Sequence, residues 1–590
     1  MKNETGNFQE CIHQADFTHS YQEKQLTSDG IITDYYREKE SLNGQWNYGI
    51  DQYDNCLRSK WYEEKYTDED GRPYPVDFSF DTWDTIPVPS CWNMIDKLFY
   101  YEGSIVYTRR FRYTNYGESH VLIKFGGVNY DAKVFINGQF VGMHKGGSTP
   151  FYVEATEFLK DENRILVVVN NRRERERVPC DNTDWFNYGG IYRDVEIIRL
   201  NETYIKRIQT QLVPGSNYSQ IKAVVEVEGS KKNGTAILQI KGLASRLEIP
   251  VTDGYGEMIF EAAPSLWSPD EPVLYETLIT YGEDSLRERV GFREIKVEGK
   301  EIFLNGVEIF LKGICAHEES LLNGKAVTEE EIRENYQIAK EMNCNYMRLA
   351  HYPHSEHAAR IADEMGIMLW EEIPVYWAIA FENQLTWSDA KNQLEELIIR
   401  DRNRASVIIW SVGNENADTD ERLAFMSGLV EVARALDETR LISAACLVDL
   451  VQLKIVDRLA DHIDVIGLNE YYGWYEPDFN QLIRLFENSN PQKPVVITEF
   501  GADAKCGARG TKDELHTEDC QLDIYRKQIE VFKKIPWIRG TSPWILFDFR
   551  CPRRLHSMQD YYNIKGLLSA DKKYKKPAFY AMQEFYKDMC

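Results

Sequence analysis

The sequence predicts three folded regions in series: a jelly-roll β-sandwich over 41–200, an immunoglobulin-like β-sandwich over 201–296, and a (β/α)8 TIM barrel over 297–590. Three observations predict this multidomain class. A chain of 590 residues is too long for one hydrophobic core. Up to residue 296 the pattern is of short strands broken by turn residues, with no long helical period. Beyond it, apolar runs and helical patterns alternate eight times in roughly 290 residues, the size and count of a barrel.

Residues 1–40 are polar and weakly patterned, and they read as an arm packing on a neighbouring domain or subunit. Gly44-Gln45-Trp46 then opens a series of strand-like runs at 104–111, 120–125, 133–139 and 165–170. Frequent glycine turns between them give the jelly-roll reading. The second sandwich rests on shorter, evenly spaced runs at 223–228, 236–240 and 258–261. The barrel strands are expected at 310–314, 345–350, 367–370, 407–410, 441–445, 465–468, 495–498 and 544–549. Helices are expected at 328–342, 355–365, 389–402, 419–436, 448–460, 477–488, 516–533 and 576–588.

Composition excludes several classes. A net charge of −25 argues against a general nucleic-acid surface, which needs a basic stripe. Eleven cysteines at irregular spacing suit reduced thiols better than a disulfide scaffold. The first residues lack the apolar core of a signal peptide and no run reaches membrane-spanning length, so a cytoplasmic location is expected. Thirteen Trp, 35 Tyr and 26 Phe supply aromatic surface for sugar sites, although cores absorb most such residues.

A barrel carries its chemistry at the C-terminal ends of its strands. Those ends hold His317-Glu318-Glu319, Arg348 with His351, Glu371-Glu372, Asn414-Glu415, Asn469-Glu470-Tyr471, Glu499 and Asp548. The residues alone leave three readings open. A carboxylate pair could cleave a glycosidic bond. The same groups with His317, His351 and His357 could hold a divalent metal. A structural polar network is the third.

The motifs resemble those of glycoside hydrolase family 2 over residues 40–590. Gly413-Asn414-Glu415 is similar to the family's acid/base segment, and Ile497-Thr498-Glu499-Phe500-Gly501 to its nucleophile segment. Arg348-Leu349-Ala350-His351-Tyr352-Pro353, Leu266-Trp267-Ser268-Pro269 and Gly291-Phe292-Arg293 also fit the family pattern. Asn469-Glu470-Tyr471-Tyr472-Gly473-Trp474-Tyr475 resembles the aromatic site segment of β-glucuronidases and bacterial β-hexuronidases. Asn563-Ile564-Lys565-Gly566 resembles their carboxylate-binding Asn-x-Lys motif.

The resemblance implies Glu415 as proton donor and Glu499 as nucleophile of a retaining β-glucuronidase. It implies Asp184, His351, Asn414, Asn469, Tyr471, Tyr475, Trp544, Asn563 and Lys565 as substrate ligands. No metal and no cofactor are expected, and the partners expected are a β-uronide substrate and further copies of the chain in a dimer or tetramer. β-Galacturonidase or dual β-hexuronidase is the alternative, β-galactosidase a more distant one, and a carbohydrate-binding protein the non-enzymatic one. In this scheme repulsion between the two carboxylates raises the proton affinity of the acid, Glu415. Two departures stand out: Glu470 occupies the usual place of an Arg, and the segment 373–394 is too short for a long flap, so the aglycone side is expected to be open. Arg553 and Arg554 are expected in a surface network.

Overall fold

Strands apolar on both faces form the middle of the first unit, which takes in residues 37–172 and 187–202 with the described part of 1–32. The computed structural model describes residues 21, 24–64 and 79–589. Most of the expected arm, residues 1–20, 22 and 23, therefore lies outside the described residues. In this unit Glu162–Asn170 pairs with Ser104–Arg112 on one side and Asp131–Ile136 on the other. Its Ile165, Val167 and Val169 enter the core between the two sheets, while Leu166 and Val168 pack against Val106 and Phe135 on the opposite face. Burial on both faces explains a continuous apolar run where a half-exposed strand would alternate. The facing sheet comprises Lys39–Ser41, Val195–Leu200, His120–Phe125 and Phe151–Glu154.

The second unit takes in 33–36, 173–186 and 203–590. It begins with a sandwich of a three-stranded and a four-stranded antiparallel sheet between Thr203 and Val290. Arg293 ties this sandwich to the barrel, donating from Nε to Ala405 O at 3.1 Å and from Nη1 to Thr439 O at 2.9 Å. The segment 173–186 also belongs to this unit. Gln393 Nε2 holds it by donating to Val178 O at 2.8 Å, and Thr386 Oγ1 donates to Glu176 O at 2.7 Å.

The barrel strands run parallel through Tyr346–Leu349, Met368–Glu372, Val407–Asn414, Leu441–Cys446, Val465–Asn469, Val495–Glu499 and Ile538–Thr541. Its first strand is split. Leu311–Lys312 pairs with Ile538–Thr541, and Cys315–Ala316 pairs with Tyr346–Leu349, so the two halves close the ring. Closure is tight: a Cβ on Gly540 would stand 2.6 Å from Leu311 Cβ, which no side chain there could accept.

Two expectations are corrected. The eighth strand is Ile538–Thr541, not 544–549. Its sequence, Ile-Arg-Gly-Thr, has no apolar run to announce it, whereas 544–549 is apolar because Trp544, Ile545, Leu546 and Phe547 are buried beyond the strand end. No α-helix forms over 448–460, which holds turns and a short 3-10 turn at Arg458–Asp461. Asp449 accepts from the backbone N–H groups of Val451 and Gln452, both at 2.8 Å, and this local turn competes with a helix. Among the described residues no helix is long and apolar enough to cross a membrane.

Candidate active site

Two strand ends, separated in the sheet by Leu441–Cys446 and Val465–Asn469, carry the carboxylates. Val407–Asn414 is buried throughout and delivers Asn414, then Glu415, whose backbone is left-handed at φ 52°. Such a conformation costs a non-glycine residue about 1–2 kcal/mol, and Glu415 N offsets part of it by donating to Ala445 O at 2.9 Å. A Cβ on Gly413 would stand 3.0 Å from Val375 O, a backbone atom that cannot swing aside. Glu415 Oε2 accepts from Trp377 Nε1 at 2.7 Å, and its Oε1 accepts from Asn469 Nδ2 at 2.9 Å. Asn469 Oδ1 in turn accepts from Thr498 Oγ1 at 2.7 Å, one residue before Glu499.

Glu499 is held from two sides. Arg348 Nη1 donates to Oε1 and Tyr471 OH to Oε2, each at 2.8 Å. Arg348 is fully buried and also donates to Glu372 at 2.9 and 3.1 Å and to Asn414 Oδ1 at 2.7 Å. Burying one ion costs several kcal/mol, and only a saturated set of partners of this kind offsets it. Burial pushes the Glu372 carboxyl up, but Arg348 and His351 outweigh it and bring it down to about 2. At Glu499 burial wins: Arg348 and Tyr471 pull the carboxyl down, Glu415 pushes with burial, and it stands at about 8. The side chain of Glu499 is buried, whereas that of Glu415 is partly exposed. Asn414 Nδ2 is a buried donor without a hydrogen-bond partner.

A second polar group gathers Asp184, Asn563, Lys565 and Tyr475. Asp184 accepts from Arg554 Nη2 and, at 3.3 Å, from Asn563 Nδ2. Lys565 is buried and donates to Asp503 Oδ1 at 2.5 Å and to Tyr475 OH at 3.0 Å. Burial works against its ammonium, yet Asp503 and Tyr475 lift it above the usual lysine value. Its Nζ also lies 5.7 Å from the centre of the Tyr471 ring, whose hydroxyl binds Glu499. Lys565, Arg553 and Arg554 stand against Asp184 and Asp503, a local excess of one positive charge in an acidic chain. The expectation of a surface network for the arginines is corrected for Arg554: its partner Asp184 is buried.

Rings wall the remaining side. His351 stacks on Trp544 with centroids 4.9 Å apart, and its Nε2 lies 3.8 Å from Glu499 Oε1. His351 Nδ1 lies 2.8 Å from Glu372 Oε1, and burial lowers its pKa, so the ring is neutral and Nδ1–H donates. Trp185 packs edge-on against Tyr376 at 4.9 Å. Asp548 is spent elsewhere, bonded to Lys576 at 2.7 Å. The three histidines do not gather, since His357 lies 3.2 Å from Tyr35 OH, and among the described residues no His, Cys, Asp and Glu group could hold a metal ion.

Arg348 and Glu372 were noted from sequence only as strand-end groups, without a role as ligands, and Trp377 and Asp503 were given no role at all. Arg348 had a signal, a charge inside the apolar strand Tyr346–Leu349. Trp377 had none beyond its place in a short loop.

Two strand-end carboxylates on a parallel barrel, one held by a cation and a phenol and the other by an indole and an amide, are the kind of arrangement that glycoside hydrolysis needs. The chain belongs to glycoside hydrolase family 2: the "Glycosyl hydrolases family 2, TIM barrel domain" model matches residues 295–589, and the "sugar binding domain" model of the same family matches 39–201. It is 27% identical to a β-glucuronidase of Paenibacillus borealis, over 92% of this chain and 96% of the relative. It is 28% identical to a β-glucuronidase of Bacteroides fragilis, over 85% and 78%. Among solved structures, a β-galacturonidase from Eisenbergiella tayi bound to glycerol matches with a TM-score of 0.81 and 26% identity, over 94% of this chain and 97% of that one.

Proposed function

We propose that the chain is a retaining β-glucuronidase acting through a glycosyl-enzyme intermediate. Glu499 attacks the anomeric carbon as an anion while Glu415 protonates the departing oxygen; Glu415 then draws a proton from the water that releases the sugar. Arg348 and Tyr471 orient Glu499 and favour its charged form. Asn414 offers its unpartnered amide N–H to the sugar 2-hydroxyl, and Asn469 fixes Glu415. Formation of the ester removes one negative charge, which lowers the proton affinity of Glu415 for its second role.

One observation carries the uronate reading: the Lys565 ammonium lies one tyrosine ring away from the nucleophile. A pyranose with its anomeric carbon at Glu499 brings its C6 carboxylate toward that ammonium and Asn563. A neutral sugar leaves the cation without an added partner. The β-glucuronidase relatives support this reading. A second reading, β-galacturonidase, is favoured by the Eisenbergiella tayi neighbour and by Arg554 on Asp184, the residue assigned to the sugar hydroxyls. Side-by-side kinetics on β-glucuronide, β-galacturonide, β-galactoside and β-glucoside with one shared leaving group decide between them. Preference for a neutral glycoside would remove the uronidase reading altogether.

A further inference from the structure

The proton donor must touch the glycosidic oxygen, so whatever binds the donor on its open side borders the leaving group. That neighbour is Trp377, whose Nε1 donates to Glu415 Oε2 at 2.7 Å. Its backbone is left-handed at φ 54°, a position the loop holds against a steric cost. A partly exposed indole beside a glycosidic bond ordinarily offers its face to a sugar or an aryl group. Here the faces are engaged. Tyr376 stacks on the indole with centroids 4.5 Å apart at 30°, and the Arg553 guanidinium lies 4.7 Å from its centre.

Arg553 reaches this place from the turn before Asn563, and its contacts fix the head group without exhausting it. Nη1 donates to Asn182 Oδ1 at 3.1 Å, and Nε lies 3.7 Å from Asp184, a carboxylate that Arg554 engages at closer range. A guanidinium has five N–H donors, and the Arg553 side chain is 43% exposed. The ring beneath it and the amide beside it pre-orient a cation at the open edge of the site.

We propose that Trp377 and Arg553 form the leaving-group subsite, and that this subsite takes an aglycone bearing an anionic substituent, a carboxylate or a sulfate. The proposal rests on Glu415 being the proton donor of a β-uronidase. It names the substrate class as an acidic conjugate or an acidic oligosaccharide. An apolar aglycone gains no bare aromatic face here, and an anion gains a positioned partner. Trp377 conveys the contact to the chemistry, because it orients both the guanidinium and Glu415.

The test uses the full chain and three aryl β-uronides whose meta position carries a carboxymethyl, a sulfomethyl or a carboxamidomethyl group, so that phenol acidity is matched. The readout is the ratio of kcat/KM for each anionic probe to the neutral one. A half-exposed ion pair gives a ratio of about three- to fivefold. The ratio falls to about one in Arg553→Gln, is retained in Arg553→Lys, and shrinks with added salt in the unmodified enzyme. The carboxymethyl and sulfomethyl arms tell which anion is preferred. A ratio near one in the unmodified enzyme, or one that Arg553→Gln leaves intact, overturns the subsite while turnover of the uronides keeps the uronidase reading. Failure of all three uronides beside hydrolysis of a neutral galactoside overturns both.

Discussion

Replacing Lys565 by Met tests the uronate reading, provided that its two consequences are separated. Lys565 and Asp503 are both buried, and they share a 2.5 Å contact. Removing the ammonium strands a buried carboxylate that keeps Gln559 Nε2 at 2.6 Å and His516 Nδ1 at 3.7 Å, at a cost of about 3–5 kcal/mol in stability. Loss of a buried charged contact to substrate costs about 2–5 kcal/mol on top, or roughly 30- to 4,000-fold in kcat/KM. The double variant Lys565→Met/Asp503→Asn distinguishes the two, since it removes the stranded charge without restoring a cation. Chemical unfolding should show the double variant recovering most of the lost stability. Kinetics with a uronide and a neutral glycoside should show that it does not recover uronide turnover, while the neutral substrate changes by less than about tenfold. Recovery of uronide turnover in the double variant, or equal losses on both substrates, would refute the reasoning, because Lys565 would then act through stability alone.

Other outcomes follow from the same networks. Glu415→Gln should lower turnover of poorly acidic leaving groups by about 100-fold or more while sparing a dinitrophenyl leaving group, and Glu499→Gln should abolish both; the leaving-group dependence of kcat separates the roles. Tyr471→Phe removes a hydrogen bond to ionised Glu499, so the carboxyl pKa rises further and the acid limb of the kcat/KM profile moves to higher pH; a limb that moves down contradicts the assignment. Glu470 is buried with its Oε1 unpartnered, and burial followed by repulsion from Glu415 and Glu476 pushes it up to about 8. A carboxyl raised in the folded state favours folding below its unfolded value near 4.5, and this contribution is lost as pH rises to 8. Glu470→Gln should therefore flatten the decline in stability between pH 5 and 8, a difference on the order of 3 kcal/mol by pH 8, read by urea unfolding at each pH.

What the sequence disclosed and what it withheld divide along a physical line. Apolar periodicity reports burial, and burial built most of the strands where the pattern put them. It failed at Ile538–Thr541, where closing the ring calls for Gly540 rather than a hydrophobic side chain, and at 448–460, where Asp449 turns a helical pattern into a local turn. Strand-end carboxylates were legible because an apolar run ending in Asn-Glu or Thr-Glu has few structural uses. The partners of those carboxylates were less so, because pairing is a property of the fold: Arg348 gathers Glu372, Asn414 and Glu499 from three other strands. Proton affinity is likewise a property of the fold: burial raises the Glu499 carboxyl, and the charge of Glu415 adds to it. In the proposed mechanism a substrate that places developing positive charge at the anomeric carbon stabilises the Glu499 anion at the moment it is required.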